Sequence, residues 1–70
     1  MIRVNSLQHI TIEQSISYDF DMKTIDHCVK FFDHEKHVYE KYCFSDFKQA
    51  CNKFEELETL AYEREKEYAA

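Results

Sequence analysis

The sequence predicts an α+β domain: a three-stranded antiparallel meander followed by one long C-terminal helix packed on one face of the sheet. Three observations predict it. Apolar residues occupy the even positions from Ile10 to Met22, broken only by Gln14. The same period of two returns in residues 24–32 and 37–44. From Phe47 the apolar spacing changes to 3.6 residues, the period of a helix.

The first predicted strand covers about 10–22, with Ile10, Ile12, Ile16, Tyr18, Phe20 and Met22 on one face and Thr11, Glu13, Ser15 and Ser17 on the other. Period two with one polar face marks a half-buried strand. The second covers about 24–32, with Ile25, His27, Val29 and Phe31 in phase. The third covers about 37–44, with Val38, Tyr42 and Phe44 in phase and Glu40 as the exception. Ile2 and Val4 leave residues 1–9 open, either a further short strand or an extension. Four-residue turns at Asp33–Lys36 and Asp21–Thr24 set Phe31 opposite Val38, His27 opposite Tyr42 and Tyr18 opposite His27. Both turns put the same residues of the middle strand on the apolar face, and a one-residue slip would destroy that agreement.

The helix is predicted over about 46–68, with Ser45 as N-cap and Asp46 in the first turn. Phe47, Ala50, Cys51, Phe54, Leu57, Leu60 and Ala61 form its apolar stripe. Phe47, Ala50, Phe54, Leu57, Ala61, Arg64 and Tyr68 also fit a heptad seam, but a three-stranded sheet needs a cover, which favours packing within the chain. Glu56, Glu63 and Glu67 lie opposite Phe47 on the wheel, as solvated positions. Glu58 and Glu65 fall near the meridian of the stripe, with Glu55 at its edge. The expectation is that the helix leaves the sheet beyond Glu58 or meets another surface there.

Seventy residues make one domain, 1–70. A chain this short holds a stability of roughly 3–10 kcal/mol, at about 0.05–0.15 kcal/mol per residue. It is 44% hydrophobic and 16% aromatic, too apolar for disorder, and it has neither glycine nor proline. The net charge of −5 opposes direct binding to nucleic acid, whose phosphates require Lys and Arg, and permits attraction to a basic protein surface. Cys28, Cys43 and Cys51 are an odd set with no legible signal peptide, which reads as reduced thiols in the cytoplasm. No apolar run is long enough to span a membrane.

No residue pattern names a reaction, and the chain is not expected to be an enzyme. His27, Cys28, His34, His37 and Cys43 lack the spacing of a metal site, so no metal or other cofactor is expected. The Tyr18–His27–Tyr42 row, with Glu40 near, has the look of an acid–base group but no nucleophile or oxyanion donor beside it. Lys30, Phe32, Tyr39 and Lys41 interleave cations and aromatics, yet residues 23–44 sum to zero charge. That leaves the acids. Residues 45–70 carry seven acids and four bases. The candidate contact residues are Glu55, Glu58 and Glu65, with Tyr62 and Tyr68 as aromatic anchors and Asp19 and Asp21 as further acids.

In size, acidity, sheet-plus-helix form and lack of a catalytic motif, the chain resembles the small acidic inhibitors of bacteriophages, such as anti-CRISPR proteins and other nucleic-acid mimics. The resemblance implies a non-enzymatic inhibitor that blocks a nucleic-acid-handling host complex by binding a basic surface of a protein or nucleoprotein. The alternative is a small structural or regulatory homodimer joined through the C-terminal helix or a sheet edge.

Overall fold

The computed structural model describes residues 2–18 and 24–69. Its elements run β1 (Arg3–Ser6), β2 (Ile10–Tyr18), β3 (Ile25–Asp33), β4 (Val38–Phe44) and α1 (Phe47–Ala69). The strands form one antiparallel sheet in the order β1-β2-β3-β4, and α1 lies across one face. The α+β class, the antiparallel sheet and the C-terminal helix are as predicted. The strand count is not: the sheet has four strands instead of three. β1 escapes the apolar pattern because its polarity is inverted. Arg3 and Asn5 pair with Gln14 and Ile12 and so share the helix-facing side, while Ile2 and Val4 are 40% and 48% exposed. The last residues of the predicted first strand, 19–22, lie outside the described residues.

Both hairpin registers differ from prediction by two residues. Phe31 stands opposite Glu40 instead of Val38, and His27 opposite Phe44 instead of Tyr42. Tyr18 stands opposite Ile25 instead of His27. A shift of two keeps every side chain on its predicted face, so the apolar pattern alone does not resolve it. What decides the β3–β4 register is Asp33, which stays in the ladder opposite Val38, leaving His34–His37 as the turn. His37 closes that turn at φ 57°, the left-handed region usually given to glycine. The chain has no glycine, and histidine is among the residues that enter this region most readily.

The core is the sheet's inner face against the helix stripe. Ile10, Ile12, Val29 and Phe31 meet Ala50, Phe54, Leu57 and Ala61, all buried, with Leu7, Tyr42, Phe44 and Tyr68 packed around them. The heptad-like seam is thus the sheet-facing side of α1. Gln14, the one polar break in the β2 pattern, is fully buried among these residues. It accepts a bond from Arg3 Nε at 2.7 Å and donates to Cys51 Sγ at 3.4 Å. The Arg3 guanidinium in turn sits 4.0 Å over the Phe54 ring. The helix begins one residue later than predicted. Asp46 is its cap, accepting the Lys48 N–H at 3.1 Å, in place of Ser45.

The cysteine expectation is also corrected. Cys28 and Cys43 are direct cross-strand partners, 4.1 Å apart at Cα, and are joined as a disulfide; Cys51 alone is free. The predicted register had set Cys28 opposite Lys41, which hid the pair. The bond lies on the sheet face away from α1.

Two stability measurements follow from these features. His37→Gly should raise stability by about 0.5–1 kcal/mol in urea unfolding, since it relieves a β-carbon in a left-handed position. Loss of stability on that substitution would show that the His37 side chain contributes more than its backbone costs. Reducing the disulfide, whose cysteines are 15 residues apart, should lower stability by about 3 kcal/mol through loop entropy while leaving the amide-exchange pattern of β3–β4 in place.

Candidate interaction surfaces

Glu58 and Glu65 stand on the helix stripe because the β1–β2 hairpin presents polar partners to them. Asn5 Nδ2 donates to Glu58 Oε2 at 2.8 Å and to the Tyr62 hydroxyl at 3.1 Å. The His9 backbone N–H donates to Glu65 Oε1 at 2.7 Å, and His9 Nδ1 lies 3.1 Å from Oε2. The helix therefore does not leave the sheet after Glu58. Ala61 is fully buried beyond it. The sequence could not show this, because Asn5 sits in a strand whose apolar residues face outward and His9 sits in the loop that follows it.

Asp33 anchors the far end of the helix. It is 1% exposed, and four donors converge on its carboxylate. Oδ1 accepts the backbone N–H groups of Glu35 at 3.1 Å and Lys36 at 3.0 Å, which shapes the turn. Oδ2 accepts the Tyr68 hydroxyl at 2.6 Å and Arg64 Nη1 at 3.2 Å. Burial pushes the carboxyl upward, but the bonds from Tyr68, Lys36 and Arg64 outweigh it and hold its pKa below the ordinary 3.8. Tyr68 is pushed up to about 12, first by its bond to Asp33 and then by burial. His9 packs edge-on against the Tyr68 ring at 5.3 Å, and the His34 N–H donates to the His9 carbonyl at 2.8 Å. Two loops and the last turns of α1 are knotted together at this end.

The candidate contact residues thus divide. Glu58, Glu65 and Tyr68 serve the fold. Tyr62 is 49% exposed although its hydroxyl receives Asn5, and Glu55 is exposed on the outward face of α1. Asp19 and Asp21 lie outside the described residues. The outward face also carries Glu56, Glu63 and Glu67, all exposed, and Leu60 at 37% exposure. Glu56 reaches Lys53 at 3.5 Å. Among the described residues, the carboxylates of Glu55, Glu63 and Glu67 meet no cation.

The expected Tyr18–His27–Tyr42 row does not form. His27 lies between Ile16 and Phe44, with its ring 5.4 Å from Phe47 and its buried Nδ1 unbonded. Tyr42 instead donates to Glu40 at 2.6 Å, and that bond, then burial, raises the pKa of its phenol. Between β4 and α1 an open groove of about 420 Å³ is lined by Tyr42, Phe44, Gln49, Asn52, Lys53 and Glu56. On the opposite sheet face, Phe32 packs on Tyr39 at 4.8 Å and stacks with His34 at 6.3 Å. Among the described residues no group of three His, Cys, Asp or Glu side chains is placed to hold a metal ion, and no helix is long and apolar enough to cross a membrane.

Fold and surfaces together define a two-layer α+β domain whose polar groups largely serve its own packing, with one acidic helix face left outward. No family model, curated protein or solved structure matches the chain.

The Asp33 network gives stability a pH dependence with two limbs. A carboxylate with a lowered folded pKa contributes above its unfolded value, near 3.8, and that contribution is lost as pH falls through the folded value. A phenol with a raised folded pKa contributes below its unfolded value of 10.0 and loses that contribution as pH rises through about 12. Asp33→Ala should cost about 1–3 kcal/mol at neutral pH, because it leaves the turn N–H groups and the Tyr68 hydroxyl without their acceptor. Urea midpoints taken across pH should show Asp33→Asn flattening the acid limb and Tyr68→Phe flattening the alkaline one. Unchanged limbs would remove Asp33 from its central role.

Proposed function

We propose that this chain is a non-enzymatic, cytoplasmic protein-binding module that docks the outward face of α1 on a basic surface of a protein or nucleoprotein complex. In this reading it inhibits a nucleic-acid-handling machine by covering a surface that would otherwise hold phosphates. The observation that supports it is the set of exposed carboxylates at Glu55, Glu63 and Glu67, which meet no cation among the described residues and are flanked on opposite sides by exposed Leu60 and Tyr62. At about 1.5 Å per residue, Glu55 lies about 12 Å from Glu63 along the helix and Glu63 about 6 Å from Glu67, so the three spread negative charge over the outward face. Leu60 and Tyr62 supply the apolar contact such a set needs for lasting attachment. The proposed contact therefore shifts outward from Glu58 and Glu65, which are engaged by Asn5 and His9, to their free neighbours.

The cytoplasm in this reading is a reducing compartment, which acts on the Cys28–Cys43 bond. The apolar face fixes which side of each strand turns inward, so the fold does not depend on that bond to orient its strands.

Affinity capture from a lysate of the source cells, at low and high salt, tests the proposal. The wild-type chain should retain a basic partner at low salt and release it at high salt. Reversing Glu55, Glu63 and Glu67 to Lys should weaken binding to that partner about tenfold or more, mainly through slower association. Tyr62→Ala should speed dissociation. If charge reversal leaves affinity and its salt dependence unchanged, α1 is not the contact.

A further inference from the structure

We infer that the free edge of β4 is a second docking site, which takes an extended acidic segment of a partner protein as a fifth strand. β4 is the last strand of the sheet. The Cα separation of 4.1 Å between Cys28 and Cys43 marks them as a pair that does not exchange backbone hydrogen bonds. The ladder alternates, so Phe44, Tyr42, Glu40 and Val38 bond to β3, and the N–H and C=O groups of Tyr39, Lys41 and Cys43 point away from it. No backbone bond from these three residues to a turn or loop is present among the described residues. They form a template for strand addition.

The side chains along the edge specify the occupant. An added strand would lie about 4.8 Å beyond β4. Its residues on the helix side would enter the groove between β4 and α1, lined by Tyr42, Phe44, Gln49, Asn52, Lys53 and Glu56, where Glu56 disfavours a further acid. Apolar or aromatic side chains fit there, against the two rings and the Lys53 stem. On the other sheet face, Lys41 stands directly opposite Lys30. Like charges in that arrangement repel. Glu13 is the cross-strand neighbour of Lys30 on β2, whereas Lys41 has no acidic cross-strand neighbour among the described residues. An acidic residue on the added strand would take that place. The occupant is therefore an extended segment with acidic residues facing Lys41 and apolar residues alternating toward the groove.

A second copy of this chain fits less well. Full antiparallel overlap of two β4 strands is centred on Lys41, the middle residue of Val38–Phe44, and sets Lys41 against its own image. The lysine thus guards the edge against self-pairing and favours an acidic strand. This surface is separate from the outward face of α1, and each is tested without the other.

The test uses the oxidised protein and a short capped peptide of alternating Glu and Leu residues, with an alternating Lys and Leu peptide as control. The expected result is slowed amide exchange at Tyr39, Lys41 and Cys43 with the acidic peptide only. Lys41→Glu should weaken its binding about three- to tenfold. Lys41→Pro, which removes an outward N–H, should abolish the protection, with the far-ultraviolet spectrum confirming a retained fold. The same substitutions should leave capture through α1 intact. No protection at these amides with the acidic peptide overturns the proposal. So does protection already present in the free protein that disappears on dilution, because a second copy would then hold the edge.

Discussion

Asp33 puts a carboxylate at the corner where β3 ends, the turn to β4 begins and the last turns of α1 pass. An isolated buried carboxylate would be expensive, and this one is tolerated because it receives two backbone N–H groups, a phenol and a guanidinium. Each of those bonds specifies geometry as well as satisfying charge. The turn N–H groups keep Asp33 in the ladder, which selects a register that the apolar pattern alone leaves degenerate by two residues. That register places Cys28 opposite Cys43 and His27 opposite Phe44. Tyr68 and Arg64 then hold the end of the helix on the sheet, where its apolar stripe has already run out. A single acid thus sets the pairing of one hairpin and the docking of the C-terminal third of the helix.

The faces of the elements were legible in the sequence, and their fine registration was not. Alternation in β2, β3 and β4 and the change of period at Phe47 identify the layers, because burial of one face is what a sheet and a helix of this size need. The same alternation is blind to even-numbered slips. β1 was hidden for a different reason. It contributes Arg3 and Asn5 to the interior side and leaves Ile2 and Val4 outside, the reverse of what hydrophobicity suggests. Its role is to satisfy polar groups: Arg3 meets Gln14, and Asn5 meets Glu58. Residues that looked anomalous when read singly, Gln14 in a strand and Glu58 and Glu65 on a stripe, explain one another once the fourth strand is in place.

This changes how the acidity of the chain is understood. Six glutamates in α1 look alike in composition but fall into two sets. Those facing β1 and its loop, Glu58 and Glu65, are engaged by hydrogen bonds from Asn5 and His9 within the fold. Of those facing away, Glu56 reaches Lys53, and Glu55, Glu63 and Glu67 meet no cation among the described residues. Net charge is therefore a poor measure of what a partner would meet, and the arrangement around Leu60 and Tyr62 is a better one.

The contacts between the β1–β2 hairpin and α1 join residues 53 to 57 positions apart, almost the whole length of the chain. The β3–β4 hairpin, by contrast, closes over four turn residues. Long closures cost more chain entropy than short ones and gain their contacts only after the intervening chain is ordered. The β1–β2 hairpin and the second half of α1 are thus coupled: loss of the Asn5 and His9 contacts would be felt at Glu58, Tyr62 and Glu65.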